Sequence, residues 1–175
     1  MSWTELLTRE MEYNYGVAAK LMDLVSDKEL AWKPATGANW MTVGQLLMHV
    51  AQGCGSGVKG FVTGDWGLPE GVDPSQMSPD DMLPPAEKMP AVKSVADAKK
   101  LLAEDRKTAF DTLKKTSEHD LAHKIAKAPW DPRDMILGHR LLQMIAHLNQ
   151  HKGQLYYYLK MMGKDVSTPD LWGSE

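Results

Sequence analysis

The feature that most constrains the fold is the stretch of residues 134–163, which combines strong helical periodicity with a histidine pair at metal-binding spacing. Its apolar residues recur at steps of three, four and seven, which places them on one stripe of an α-helix: Leu141, Met144, Leu148, Leu155, Leu159 and Met162. His147 and His151 lie at the edge of this stripe, about 40° apart around the helix axis and about 6 Å apart along it. Two imidazoles placed in this way can bind one metal ion. Gly163 is the predicted left-handed residue at the end of the helix.

Composition and charge narrow the class of protein. The chain has 175 residues, of which 43% are hydrophobic and 25% charged, and this balance predicts one globular domain over residues 1–175. Twenty basic and twenty-three acidic residues give a net charge of −3 with no concentrated basic run, so we expect neither nucleic acid nor an anionic membrane as a partner. No apolar run has the length of a membrane span, and the first residues lack the apolar core of a signal peptide. We therefore expect a cytoplasmic protein.

Three further helices are predicted before this one. Apolar periodicity indicates helices over residues 3–25, 42–64 and 94–115, and residues 117–127 add at most a short helical turn. Prolines interrupt residues 65–92 so often that this segment is predicted to be a long connection, which lets the second and third helices run parallel. The sequence therefore predicts an all-α fold, a four-helix bundle with long crossover connections.

The second predicted helix carries a histidine beside several glycines. Thr42 and Gln45 have the spacing of a capping box at its start. His49, Gly53 and Gly57 then lie on one flank of the helix, and each interior glycine costs about 1 kcal/mol relative to alanine. That cost indicates either that another backbone approaches closely there or that the missing side chains leave space for a ligand beside His49.

If the second and last helices pack side by side, His49 completes a triangle of imidazoles with His147 and His151. The single cysteine, Cys54, excludes an internal disulfide and a cysteine-based zinc site, which leaves histidine and carboxylate as metal ligands. Three protein nitrogens with open positions for water are typical of a reactive zinc site rather than a structural one.

The same histidine spacing also occurs by chance. His119 and His123 repeat it in a segment with no comparable apolar stripe, and we interpret them, together with His139, as surface or linker residues. From spacing alone, a pair of histidines on the edge of a packed helix therefore remains an alternative to a metal site.

Two segments carry a family resemblance. NWMTVGQLLMHV at residues 39–50 and HLNQHKGQLYYYLKMMG at residues 147–163 resemble the two signature regions of the DinB-like (DinB/YfiT-type) superfamily. Those regions have a capped second helix with a histidine about two turns in, and a final helix with an HxxxH pair, a GQL step and a terminal glycine. Here these features fall on Trp40, Thr42, His49, His147, His151, Gly153, Gln154, Leu155 and Gly163.

The resemblance covers the order and approximate length of all four helices, but about thirty residues in the two segments make it specific. It implies a four-helix bundle, usually a homodimer, with a divalent metal, often nickel or zinc, on His49, His147 and His151. Twelve methionines and six tryptophans are also a large number for one small bundle. Such a number favours an exposed apolar surface that a second copy of the chain covers.

The resemblance leaves two functions open. Some members of the superfamily resemble metal-dependent S-transferases and isomerases that use a low-molecular-weight thiol such as bacillithiol or mycothiol. A metal with open positions suits that chemistry, because the cation lowers the pKa of a bound thiol. One hypothesis is therefore a thiol transferase or isomerase acting on a small electrophile. The other is a non-enzymatic bundle that binds metal or a small ligand in a stress response.

Other metalloenzyme classes lack their residues here. A ferritin-like di-iron oxidase needs Glu-x-x-His pairs, and none occurs in the sequence. A metalloprotease needs HExxH, whereas His147 is followed by Leu148 and Asn149. Tyr158 lies on the same helix edge as the histidine pair, where it is either a hydrogen-bond donor to a substrate or a packed aromatic with a solvated hydroxyl group.

Overall fold

A computed structural model describes residues 1–69, 71, 72, 77 and 84–173. Within these residues, the helices and strands of four or more residues are named in chain order. They are α1 (Trp3–Met22), α2 (Val43–Gln52), α3 (Gly55–Thr63), α4 (Val95–Leu113), α5 (Glu118–His123), β1 (Ile125–Ala128), β2 (Asp131–Ile136), α6 (Leu137–Met161) and α7 (Thr168–Trp172). Helices α1, α2 with α3, α4, and α6 pack together as the four members of a bundle. The predicted all-α four-helix bundle is confirmed.

Local side-chain chemistry determines where the helices begin. The hydroxyl oxygen of Thr42 accepts a hydrogen bond from the backbone N–H of Gln45, and Gln45 Oε1 accepts one from the backbone N–H of Thr42. Ser94 caps α4 in a similar way, by accepting from the N–H of Asp97. Each bond satisfies a backbone donor that has no partner within its helix. The predicted starts of the second and third long helices are therefore confirmed.

The second predicted helix, over residues 42–64, is wrong as a continuous element. It breaks after Gln52, and α3 begins as a new helix at Gly55. The carboxylate of Asp105 on α4 accepts hydrogen bonds from the N–H groups of Gly55 and Ser56, at 2.7 and 3.1 Å. A Cβ at Gly55 would lie 2.1 Å from the carbonyl oxygen of Asp105, so this close approach requires glycine.

Asp105 is buried and also connects α4 to the first helix. The hydroxyl of Tyr15 on α1 donates to Asp105 Oδ2 at 2.6 Å. Burial raises the pKa of Asp105, although the three hydrogen bonds to its carboxylate act in the opposite direction. One side chain therefore joins three members of the bundle.

A small hairpin that the sequence analysis did not predict precedes the last helix. Strands β1 and β2 pair antiparallel, and α6 begins at Leu137 rather than at residue 134. The guanidinium of Arg140, with 1% of its surface exposed, donates to Asp131 Oδ2 and to the carbonyl oxygens of Ala126 and Arg133. A buried guanidinium needs such partners, so Arg140 fixes the hairpin against α6.

The last helix otherwise matches its prediction. The four leucines of its apolar stripe are in the core, Met144 and Met162 pack against it, and the helix ends before Gly163, which has the predicted left-handed conformation (φ +79°). Tyr158 is fully packed between the edges of Trp32 and Trp40, and its hydroxyl donates to the carbonyl oxygen of Met41 at 3.1 Å. Tyr158 is thus a packed aromatic, but its hydroxyl is bonded within the protein and not solvated.

Among the residues that the structure describes, no helix combines the length and hydropathy required to cross a membrane.

We predict that Asp105→Asn lowers the free energy of unfolding by about 2–3 kcal/mol, because an amide NH₂ would then face backbone donors at the start of α3. Urea denaturation gives the measurement. Asp111→Asn is the matched control, since Asp111 lies on the same helix in a surface ion pair with Lys107 that contributes little to stability. Equal losses in the two variants would contradict the assigned role of Asp105.

Candidate metal centre

Three histidines converge where α2 packs against α6. Nε2 of His49 lies 3.1 Å from Nε2 of His147 and 3.0 Å from Nε2 of His151. The i, i+4 spacing on α6 presents the latter two rings on one face, and α2 places His49 opposite them. In the part of the chain that the structure describes, no other three histidine, cysteine or acidic side chains form a group that could hold a metal ion.

Hydrogen bonds on the outer side of the cluster determine which ring nitrogens carry protons. Nδ1 of His147 lies 3.0 Å from the carbonyl oxygen of Gly53, and Nδ1 of His151 lies 2.9 Å from Oε1 of Gln154. Both oxygens accept, so each Nδ1 donates its proton outward. In the neutral rings, Nε2 of His147 and of His151 then presents a lone pair to the centre of the cluster. This outer hydrogen bonding is typical of metal-bound histidines.

The size of the cluster also suits a coordinated ion. With metal–nitrogen bonds of about 2.0–2.1 Å, ligand nitrogens are separated by about 2.9 Å at octahedral angles and about 3.3 Å at tetrahedral angles. The separations of 3.0 and 3.1 Å measured from His49 lie within this range, and the three ligand atoms as a group lie within 4.8 Å of one another. Ligands on one side of an ion leave its other side open for water or a substrate.

Burial keeps these imidazoles neutral. It lowers the pKa of His49 to about 3, with smaller contributions from His151 and His147. It also lowers the pKa of His147 and of His151, although the hydrogen bonds that they donate to Gly53 and Gln154 act in the opposite direction. A metal ion must compete with protons for these nitrogens, so lowered pKa values favour metal binding near pH 7.

The glycines beside His49 admit side chains from α6. A Cβ at Gly53 would lie 3.0 Å from Cε1 and Nδ1 of His147, and a Cβ at Gly57 would lie 2.4 Å from the sulfur of Met144. Gly53 therefore allows the imidazole of His147 to lie against the backbone that accepts its proton. These contacts favour close approach over empty space as the reason for the two glycines, although both also line a cavity.

That cavity, of about 440 Å³, extends from the histidine cluster toward the end of α3. Five large apolar side chains in its wall were not assigned to the site from the sequence: Met48, Trp66, Met89, Trp130 and Met144. Met144 was predicted only as part of the apolar stripe of α6, and the two tryptophans lie in connections. Large aromatic residues in connections were the one sequence signal that could have identified this wall.

A second cavity, of about 530 Å³, shares Trp130, Met144 and His147 with the first. Its wall includes charged and amide side chains, among them Asp131, Arg133 and Gln150. Arg133 and Arg140 both pair with Asp131, and these pairings lower the pKa of that carboxyl group. His147 thus lines both an apolar cavity and a charged one.

The remaining histidines lie outside the cluster, as predicted. His119 and His123 stack on each other at the surface of α5, with ring centroids 4.7 Å apart, and His139 is exposed. Tyr158 also contributes no free donor, because its hydroxyl is bonded to Met41.

Comparisons with known proteins agree with this architecture. The family model of the DinB superfamily matches residues 10–155. The fold resembles the crystal structure of a DinB-like protein from Bacillus cereus ATCC 10987, with a TM-score of 0.67 over 93% of this chain and 95% of that one, at 17% sequence identity. A search of the curated proteins found no match. The family match covers most of the chain, including all three clustered histidines, and the chain therefore belongs to the DinB superfamily.

Proposed function

We propose that His49, His147 and His151 bind one divalent metal ion, nickel or zinc, through their Nε2 atoms. The observation that supports this most directly is that the three Nε2 atoms converge while the two histidines on α6 donate their Nδ1 protons away from the cluster. Three neutral histidine nitrogens suit both ions, which are borderline in softness.

We further propose that the protein is a metal-dependent thiol S-transferase or isomerase acting on a small electrophile. A divalent ion held by the three histidines would lower the pKa of a low-molecular-weight thiol and present it as the thiolate. In a transfer, the thiolate sulfur would form a bond to the electrophilic carbon while a leaving group departs from that carbon with its bonding electron pair, and the thiol proton would pass to solvent. In an isomerisation, the sulfur would add to a carbon–carbon double bond, whose π electrons shift to an adjacent carbonyl group; after rotation about the resulting single bond, the electrons would return and the sulfur would leave as the thiolate.

The residues of this chain supply orientation and water exclusion. Gly53 and Gln154 hold the imidazoles of His147 and His151 at fixed angles through their Nδ1 protons. The methionines and tryptophans of the apolar cavity limit the water around a molecule that lies next to the cluster. Such walls raise the probability that two bound reactants meet in a productive geometry.

A non-enzymatic function, binding a metal or a small ligand, is the second candidate. One observation favours it: apart from His49 and His147, none of the described residues that line the apolar cavity is an acid or a base. Turnover distinguishes the two candidates. Loss of an electrophile that requires both a thiol and the bound metal supports the transferase, whereas ligand binding without any thiol-dependent turnover supports the binding protein.

We predict that His49→Ala, His147→Ala and His151→Ala each lose most of the bound metal, because two remaining nitrogens hold an ion poorly. Elemental analysis of the purified proteins gives the metal content per chain. His119→Ala and His123→Ala are matched controls, since this surface pair has the same i, i+4 spacing and lies outside the cluster. Full metal content in all three cluster variants would place the metal elsewhere.

We predict that Gly53→Ala weakens metal binding by about 10- to 100-fold, the usual cost of disturbing the partner of a metal-bound histidine. The added Cβ would lie 3.0 Å from the ring of His147 and 2.8 Å from the carbonyl oxygen of His49. Competition with a chromophoric chelator measures the affinity.

The control for this change is Gly16→Ala on α1, where nothing lies within 4 Å of the added Cβ. It should leave metal affinity unchanged and raise the free energy of unfolding by up to about 1 kcal/mol. Unchanged metal affinity in Gly53→Ala would contradict the role assigned to this glycine.

We also propose that the protein is a homodimer. Tyr157, Met161 and Trp172 have 61%, 54% and 60% of their surfaces exposed, and Tyr157 and Trp172 line the same surface groove between α6 and α7. Exposed apolar side chains grouped in this way favour a contact with a second copy. We predict a mass of two chains by light scattering at micromolar concentration. A mass near the 19.5 kDa of one chain would refute the dimer.

A further inference from the structure

The apolar cavity beside the histidine cluster has walls without charge. Met48, Met89 and Met144 surround it together with Trp66 and Trp130, and none of its described lining residues is a lysine, arginine, aspartate or glutamate. A charged group that entered this space would lose hydration without gaining an ionic partner. The cavity therefore selects against charged ligands.

Hydrogen bonds within the protein already occupy two polar side chains of this wall. Gln45 Nε2 donates to the carbonyl oxygens of Glu87 and Met89, and its Oε1 accepts from the N–H of Thr42. The hydroxyl of Ser56 donates to the carbonyl oxygen of Gln52 at 2.6 Å. A ligand with many hydroxyl groups, such as a sugar, would find few free partners here.

Indole rings and thioether groups give the cavity an aromatic preference. Trp66 and Trp130 meet edge to face, with ring centroids 5.4 Å apart, and Phe61 supports both from behind at 4.9 and 6.0 Å. Aromatic pairs prefer such offset or edge-to-face contacts, and methionine sulfurs also contact ring edges favourably. A flat aromatic ring is the ligand that best uses this combination.

We infer that this cavity binds an uncharged one- or two-ring aromatic molecule, with one end directed at the histidine cluster. Its volume of about 440 Å³ is within the usual range for small-molecule sites. The inference specifies the acceptor class and so rests on the proposed function, but binding to the cavity itself needs no metal.

The test uses two probes with the same ring system, 2-naphthol, which is uncharged at pH 7, and 2-naphthoate, which is an anion. Each is titrated calorimetrically into the full-length protein, once loaded with zinc and once stripped of metal. We expect the metal-free protein to bind 2-naphthol at least about 10-fold more tightly than 2-naphthoate, because only the anion must be desolvated without a counter-ion.

Met48→Lys tests whether 2-naphthol binds in this cavity. It places a cation in the cavity and should weaken 2-naphthol binding at least about 10-fold while it strengthens 2-naphthoate binding. Leu24→Lys is the control, since Leu24 is 38% exposed and lies outside the cavity, and it should change neither affinity. If Met48→Lys does not fold, Trp130→Ala, at a position that is 40% exposed, should weaken 2-naphthol binding. Ile125→Ala, on the same hairpin at a position that is 53% exposed, should not.

Equal affinity for the two probes, or 2-naphthol binding that survives both Met48→Lys and Trp130→Ala, would overturn the inference. These outcomes are separate from failure of the proposed function. A protein that binds 2-naphthol in this cavity but takes up no zinc would refute the metal site and leave the aromatic cavity intact. One that takes up zinc but binds neither probe would refute the cavity alone.

Discussion

The break between α2 and α3 is the constraint on which the candidate site depends. A continuous helix would use the carbonyl oxygen of Gly53 in its own hydrogen bonding, whereas here that oxygen accepts the Nδ1 proton of His147. The break exposes new backbone N–H groups at Gly55 and Ser56, and the carboxylate of Asp105 satisfies them. The same helix break thus requires the acceptor Asp105 at the start of α3 and frees the carbonyl oxygen that orients His147 on α6.

The bundle holds this break in place from several directions. Asp105 is positioned by α4 and is bonded to Tyr15 of α1, so a shift of α3 would disturb the packing of two other helices. Burying a carboxylate is costly, as its raised pKa indicates, and its three hydrogen bonds offset part of that cost. Polar groups that are expensive to bury specify one arrangement of neighbouring helices, because any other arrangement leaves them without partners.

The sequence predicted the parts of the molecule that depend on local periodicity and spacing. The four long helical segments, the caps at Thr42 and Ser94, and the meeting of His49 with the pair on α6 all follow from such patterns. The helix break and the hairpin depend on contacts between distant segments and could not be derived in this way. Two charged residues, Asp105 and Arg140, were nevertheless visible signals, since each lies at a buried position of its helix and therefore requires a distant polar partner.

The face of α6 that holds the candidate ligands also forms part of the cavity wall. Met144 precedes His147 by three residues, and His151 follows by four, so wall and ligands occupy successive turns of the same stripe. A rise of 1.5 Å per residue places Met144 about 4.5 Å below His147 along the axis. An aromatic ring packed on Met144 therefore needs only a short substituent to reach the histidine nitrogens. Selection by the apolar wall and reaction at the cluster can thus act on the two ends of one small molecule.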